Sequence, residues 1–117
     1  MLAVSLGVAG EIVAQKFLIA SRFEIVEQNY KCPIGEIDLV ATRAGVLYFI
    51  EVKTRTSTKY GWPAEAVTPK KQRKLRQLAL YYLAKHPSAV PVNFGVVEVL
   101  YDRYQIKYQV NFIPNAF

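Results

Sequence analysis

The sequence predicts an α/β fold, with a mixed central sheet flanked by helices, and three observations support this. Two stretches carry the 3.6-residue apolar periodicity of helices, and five shorter ones are β-forming runs. They follow one another as α-β-β-β-α-β, with one further strand at the C-terminal end. The length of 117 residues allows one packed core, so residues 1–117 are expected to form a single domain.

Residues 3 to 20 form the first predicted helix, ended by a break at Ser21-Arg22. Gly7, Gly10, Ala14, Phe17 and Leu18 share one stripe of it, with Glu11 at the edge. Small residues on that stripe let a helix lie close against a sheet. Val8, Ile12 and Ile19 make a second apolar strip on the other side, either a partner surface or a contact with a loop. Phe23 to Gln28 is a short strand, and residues 36 to 42 are the next. Arg43-Ala44-Gly45 is a hairpin turn, with Gly45 supplying the positive φ. Val46 to Lys53 returns from it through the strongly β-forming Val46-Leu47-Tyr48-Phe49-Ile50. Residues 54 to 66, rich in Thr, Ser, Lys, Gly and Pro, are a loop. Thr68 caps the second helix, with Pro69 at its first position. Leu75, Leu78, Ala79, Tyr82 and Leu83 are its core stripe, and it ends before Pro87. Val92 to Leu100 is a strand, and Asp102-Arg103 turns into the last one, near Gln105 to Phe112. Tyr48, Phe49, Tyr82 and Phe94 are core aromatics.

Composition narrows the function. The apolar fraction of 52% excludes a disordered chain, and 15 basic residues against 9 acidic give a net charge of +6. A basic domain of this size suits a polyanionic partner, nucleic acid or a membrane surface. The lone Cys32 excludes an internal disulfide, and no Cys/His spacing suggests zinc. The single His86, at a helix end, is expected to be exposed and idle. The uncharged first ten residues are too short to span a bilayer and lack the basic start of a signal peptide. A cytoplasmic protein with no membrane partner is the expectation.

The chemistry lies in the central hairpin. Gly35-Glu36-Ile37-Asp38-Leu39-Val40 sets two acids in an otherwise apolar strand. Phe49-Ile50-Glu51-Val52-Lys53 sets an acid and a lysine two apart, hence on one face of the next strand. A tight hairpin makes these strands antiparallel neighbours, which can bring Asp38 beside Glu51. Two such carboxylates form a hard oxygen site suited to magnesium. Buried without a cation, they would repel and their pKa values would rise. Lys53 can stabilise a phosphate or position water, an arrangement suited to phosphodiester hydrolysis. Taken alone, Glu-Val-Lys is a short pattern, and a solvated edge or cross-strand ion pair is its ordinary meaning.

A nucleic-acid surface is legible separately. Lys70, Arg73, Gln77 and Tyr81 lie opposite the core stripe of the second helix, with Lys74 beside them; Arg55 and Lys59 follow Lys53 in sequence. Phosphate contacts from such residues give affinity without sequence readout. Tyr60 and Trp62 could stack on a base or pin the loop to the core.

Taken together, these parts resemble the PD-(D/E)XK nuclease superfamily, with its restriction-endonuclease-like αβββαβ core. More closely, the chain resembles the YraN-like bacterial family, predicted endonucleases distantly similar to archaeal Holliday junction resolvases. Four segments carry the resemblance: Gly10-Glu11 with Ala14 and Phe17-Leu18; Asn29 with Gly35 to Ala41; Phe49 to Arg55; and Pro63 to Val67 leading to Lys70 and Arg73. The closing Asn115-Ala116-Phe117 is similar too. The resemblance implies Asp38 and Glu51 as metal ligands, Lys53 as the catalytic lysine and Glu11 as a helix-borne acid near the metal. It implies Mg2+, or Mn2+, as cofactor and nucleic acid as substrate, structured or branched DNA ahead of RNA; resolvases of that kind act as dimers, which makes a homodimer plausible. Asn93-Phe94-Gly95 departs from the family's Arg-Phe-Asp, and the missing Asp is assigned to structure or a secondary polar contact. The alternatives are a non-catalytic nucleic-acid-binding module of the same fold, or an interaction protein docking through Val8, Ile12 and Ile19.

Overall fold

A computed structural model describes residues 5–56 and 68–117, and these form a five-stranded mixed sheet with one helix on each face. The elements run α1 (Leu6–Ala20), β1 (Glu24–Cys32), β2 (Gly35–Arg43), β3 (Val46–Thr56), α2 (Pro69–Lys85), β4 (Val92–Asp102) and β5 (Lys107–Ile113). Strands lie in chain order, and every neighbouring pair is antiparallel except β3–β4, which is parallel. A parallel pair needs a crossover, and α2 is that crossover.

Alternation along β3 splits the core in two. Tyr48 and Ile50 join Ala14 and Leu18 of α1, with Leu39, Val97 and Val99. Leu47 and Phe49 join Leu75, Leu78, Ala79 and Tyr82 of α2, with Val40 and Phe94. The cap of α2 is as the sequence implies, the Lys71 N–H donating to Thr68 Oγ1 at 3.2 Å with Pro69 at the helix start. Helix α1 begins at Leu6 rather than residue 3, because Ser5 Oγ accepts the Val8 N–H and caps it.

Several expectations are corrected. Gly7 is exposed with open space around it, whereas a Cβ on Gly10 would run into the side chain of Thr54 on β3. Gly10 alone is the close approach, because one helical turn of difference moves Gly7 beyond the sheet. Strand β1 is longer than the predicted 23–28: it reaches Cys32 by absorbing a bulge near Val26 and a left-handed Asn29, φ 50°. Phe23 precedes the strand and is buried edge-on against Tyr48 and Phe112. Strand β3 runs on to Thr56 rather than stopping at Lys53; the rest of the predicted loop, including Lys59, Tyr60, Trp62 and the segment Pro63 to Val67, lies outside the described residues. In the β2–β3 turn Ala44 (φ 51°) shares the positive φ with Gly45 (φ 77°), as a two-residue type I′ turn requires. Strand β5 starts two residues late, because the Asp102 carboxylate accepts the Tyr104 and Gln105 N–H groups and shapes a longer turn. His86 is exposed but not idle. Its ring stacks on Tyr82 at 4.3 Å, with Nδ1 3.2 Å from the Tyr82 carbonyl oxygen at the end of α2.

The C-terminal tail folds back on the α2 face. The Ala116 N–H donates to the Phe94 carbonyl, Phe117 stacks on Phe94, and the Arg76 guanidinium lies over both rings. The apolar strip of α1 stays open, with Val8, Ile12 and Ile19 each about half exposed.

Gly35, the first residue of β2, has φ 150°, a conformation that suits only glycine, and its α-carbon faces Leu78 and the stem of Lys74. Gly35→Ala is therefore expected to cost about 1–2 kcal/mol, read as a lower urea midpoint at unchanged slope.

Candidate active site

The hairpin β2–β3 is in register from Arg43 opposite Val46 to Leu39 opposite Ile50, where its ladder stops. One step further the same register would set Asp38 opposite Glu51. There β2 peels away, and the Asp38 carboxylate replaces the lost ladder bond, its Oδ2 accepting the Val52 N–H at 2.8 Å. On its other side β1 pairs Gln28 with Leu39 and then Tyr30 with Ile37, leaving left-handed Asn29 opposite Asp38. Alternation breaks at the same point. Ile37 joins the α2 core and Leu39 the α1 core, although two residues apart they should share a face. Asp38 thus occupies a kink at which β2 leaves β3 while its pairing with β1 continues on either side.

The kink opens a cavity of about 180 Å³ under α2. Its polar lining is Glu36, Asp38 and Glu51 from the strands and Lys71 and Lys74 from the helix, over an apolar base of Ile37, Ile50, Leu75 and Leu78. Burial is the main cause that raises the Asp38 carboxyl from 3.8 to about 6. The Val52 hydrogen bond opposes that rise, and the negative fields of Glu11, Glu51 and Glu36 add to it. Glu51 is half-buried and pairs with Lys53 at 3.4 Å, on the shared face that their spacing requires.

Glu11 is half-buried on α1, which Gly10 brings against β3, and its charge is felt at Asp38. Among the described residues no three Asp, Glu, His or Cys side chains gather into a ready metal cage. The geometry therefore presents two adjacent carboxylates, with Glu36 at the same cavity and Glu11 acting through its field. Magnesium fits such a donor set, since it is commonly held by one or two carboxylates together with waters and substrate phosphate.

Of the predicted basic surface, Lys70, Arg73, Lys74 and Gln77 line one shallow groove on α2 together with Thr68 and Lys71. Tyr81 is not in that groove; its ring lies under the Lys85 ammonium at 5.3 Å. Arg55 is half-buried within β3, and Lys59 lies outside the described residues. Lys71 is the residue that sequence reasoning missed. A signal was available: stepping back four from Leu75 and seven from Leu78 lands on Lys71, so the core stripe continues onto it.

Gly95 pairs with Ile50 in the parallel ladder, and a Cβ there would meet the Phe112 ring and the Ile113 carbonyl at 3.2–3.3 Å. Phe112 belongs to the α1-side core, while Ile50 also forms part of the cavity's base; Gly95 itself does not line the cavity. The departure at Asn93-Phe94-Gly95 leaves the paired carboxylates untouched.

Comparison with known proteins agrees with the resemblance at the family level. The family described as Uncharacterised protein family UPF0102 matches residues 10–99, and the chain belongs to it. A UPF0102 protein of Caldicellulosiruptor saccharolyticus is 39% identical over 113 residues, 96% of each chain. One from Symbiobacterium thermophilum is 52% identical over 94 residues, 80% of each chain. A third, from Moorella thermoacetica, is 43% identical over 112 residues, 95% of this chain and 93% of its own. Among the described residues no helix is long and apolar enough to cross a membrane.

Proposed function

We propose that this protein is a metal-dependent nuclease that hydrolyses phosphodiester bonds in nucleic acid, with structured or branched DNA as its substrate class. The observation that carries this reading is Asp38, held by the Val52 N–H at a strand kink, beside the Glu51–Lys53 pair of the next strand. Asp38 and Glu51 would hold Mg2+ or Mn2+, which supplies positive charge to the phosphate and lowers the pKa of water. Lys53, kept on the Glu51 face, donates to a non-bridging phosphate oxygen or orients the attacking water. The apolar base of Ile37, Ile50, Leu75 and Leu78 limits competing solvent and strengthens these charges. In the reaction a water oxygen bonds to phosphorus, the P–O bond to one sugar breaks, and the departing oxygen takes a proton. The single free Cys32 accords with a cytoplasmic setting.

One observation favours a second reading, a nucleic-acid-binding module without catalysis: the absence of a three-ligand cage among the described residues. Magnesium titration of wild type and Asp38→Ala separates the two, against labelled four-way junctions, flaps, single strands and RNA. The nuclease reading predicts Mg2+-dependent cutting that falls on the order of 100-fold or more in the variant. Salt-sensitive binding with no cutting by either protein selects the binding module.

A further inference from the structure

Two lysines and three carboxylates face one another across the cavity without closing on each other. Lys71 and Lys74 lie on the first turns of α2, and the buried Leu75 and Leu78 fix the rotation that aims them at the cavity. The stem of Lys74 runs close over Gly35, near enough that a Cβ there would be 3.4 Å from its Cε. Glu36, Asp38 and Glu51 form the opposite side. Among the described residues neither lysine makes an ion pair with any of these carboxylates; the pair at this site is Lys53 with Glu51. The space of about 180 Å³ between them has room for several water molecules.

Charges of opposite sign in one small space, with only Glu51 in an ion pair among the described residues, describe a place for two ions rather than one. With Lys53 included, three ammonium groups balance three carboxylates. A lone cation near the carboxylates feels the lysines, and a lone phosphate near the lysines feels the carboxylates. Bound together, cation and phosphate screen these repulsions and attract each other.

We propose that Lys71 and Lys74 are the phosphate-holding half of this cavity, so that a phosphodiester and a divalent cation bind there with positive coupling. The inference rests on the carboxylates being a cation site and adds the residues that hold the substrate's phosphate over it. Lys70 and Arg73, which line the outer groove and not the cavity, contribute general attraction for a polyanion; Lys71 and Lys74 engage the one phosphate beside the cation. Linkage makes the coupling reciprocal: a phosphodiester tightens the cation by the same factor as the cation tightens the phosphodiester.

The test measures Mn2+ affinity with and without saturating thymidine dinucleotide, using the neutral methylphosphonate analogue as the uncharged control. In wild type the phosphodiester is expected to tighten Mn2+ about tenfold, within the usual range of coupling between sites, and the methylphosphonate to leave it unchanged. Lys71→Gln/Lys74→Gln is expected to bind Mn2+ alone at least as well as wild type, with coupling reduced to within about twofold. Arg103→Gln/Lys107→Gln, at the turn into the edge strand β5, removes the same two charges, keeps the full coupling and controls for net charge. Both cavity lysines are exposed, so their removal leaves the helical circular dichroism unchanged. Coupling that persists in the double variant overturns the assignment to Lys71 and Lys74. Mn2+ binding indifferent to Asp38→Asn overturns the cation site itself, and the two failures are read from different variants.

Discussion

Asp38→Asn is expected to fold more stably than wild type at pH 7.5 by about 2 kcal/mol, while losing divalent-cation binding. Folding raises the Asp38 carboxyl from 3.8 to about 6, chiefly by burial. The folded state thus prefers the protonated acid. Stability from that preference is complete below pH 4 and is lost as pH rises through 6. Above pH 6 the ionised carboxylate costs up to about 3 kcal/mol at about 1.4 kcal/mol per pH unit, which partial exposure reduces to about 2. Asparagine keeps the acceptor for the Val52 N–H and carries no charge, so it removes the cost and keeps the bond. Urea titrations at pH 4 and pH 7.5 check this: the variant's advantage appears at 7.5 and vanishes at 4. Added Mg2+ reverses the order, since a ligand at 100 times its dissociation constant stabilises the folded state by about 2.7 kcal/mol, and only wild type binds it. An equal or lower stability of the variant at pH 7.5 would show that the buried charge is relieved some other way.

Gly10→Ala is expected to lose about 2 kcal/mol, whereas Gly7→Ala, one turn away on the same helix, gains up to about 1 kcal/mol. Both replacements improve helix propensity equally. The difference is what lies outside: nothing within 4 Å of a Cβ at Gly7, and the Thr54 side chain on top of one at Gly10. Accommodating it lifts α1 from β3 or forces Thr54 from its rotamer, and a close-packed interface absorbs neither freely. Because Glu11 follows Gly10, the same displacement moves a charge felt at Asp38. Gly10→Ala is therefore expected to lower Mg2+-dependent cleavage even at temperatures where it is folded. Thermal melts with cleavage rates measured well below the transition separate the stability loss from the site effect.

These two glycines also mark where the sequence stops being informative. Helical periodicity puts Gly7 and Gly10 on one stripe, but where the sheet ends under that stripe depends on three-dimensional packing. Element order, the Thr68-Pro69 start of α2 and the hairpin at Ala44-Gly45 were legible because each is set by neighbouring residues. The tight turn fixes the hairpin register as far as Leu39 opposite Ile50, and just beyond that last pair Asp38 and Glu51 line one cavity. The kink was not legible. It depends on left-handed Asn29 in a different strand, and it breaks the alternation that strand reading assumes. Hence the sequence pattern of β1 falls short of the strand itself, and the cavity leaves no mark in it. Lys71 is hidden in a hydrophobic pattern, where a lysine counts as solvent-facing, although its spacing from Leu75 and Leu78 puts it on the core side.

Crystals soaked in Mn2+ test the central claim most directly, by locating the cation through its anomalous scattering. The account predicts one strong peak in the cavity, within coordination distance of carboxylate oxygens of both Asp38 and Glu51, and absent from Asp38→Ala crystals. A cavity without a peak at saturating Mn2+, or a peak that survives in Asp38→Ala, would contradict it.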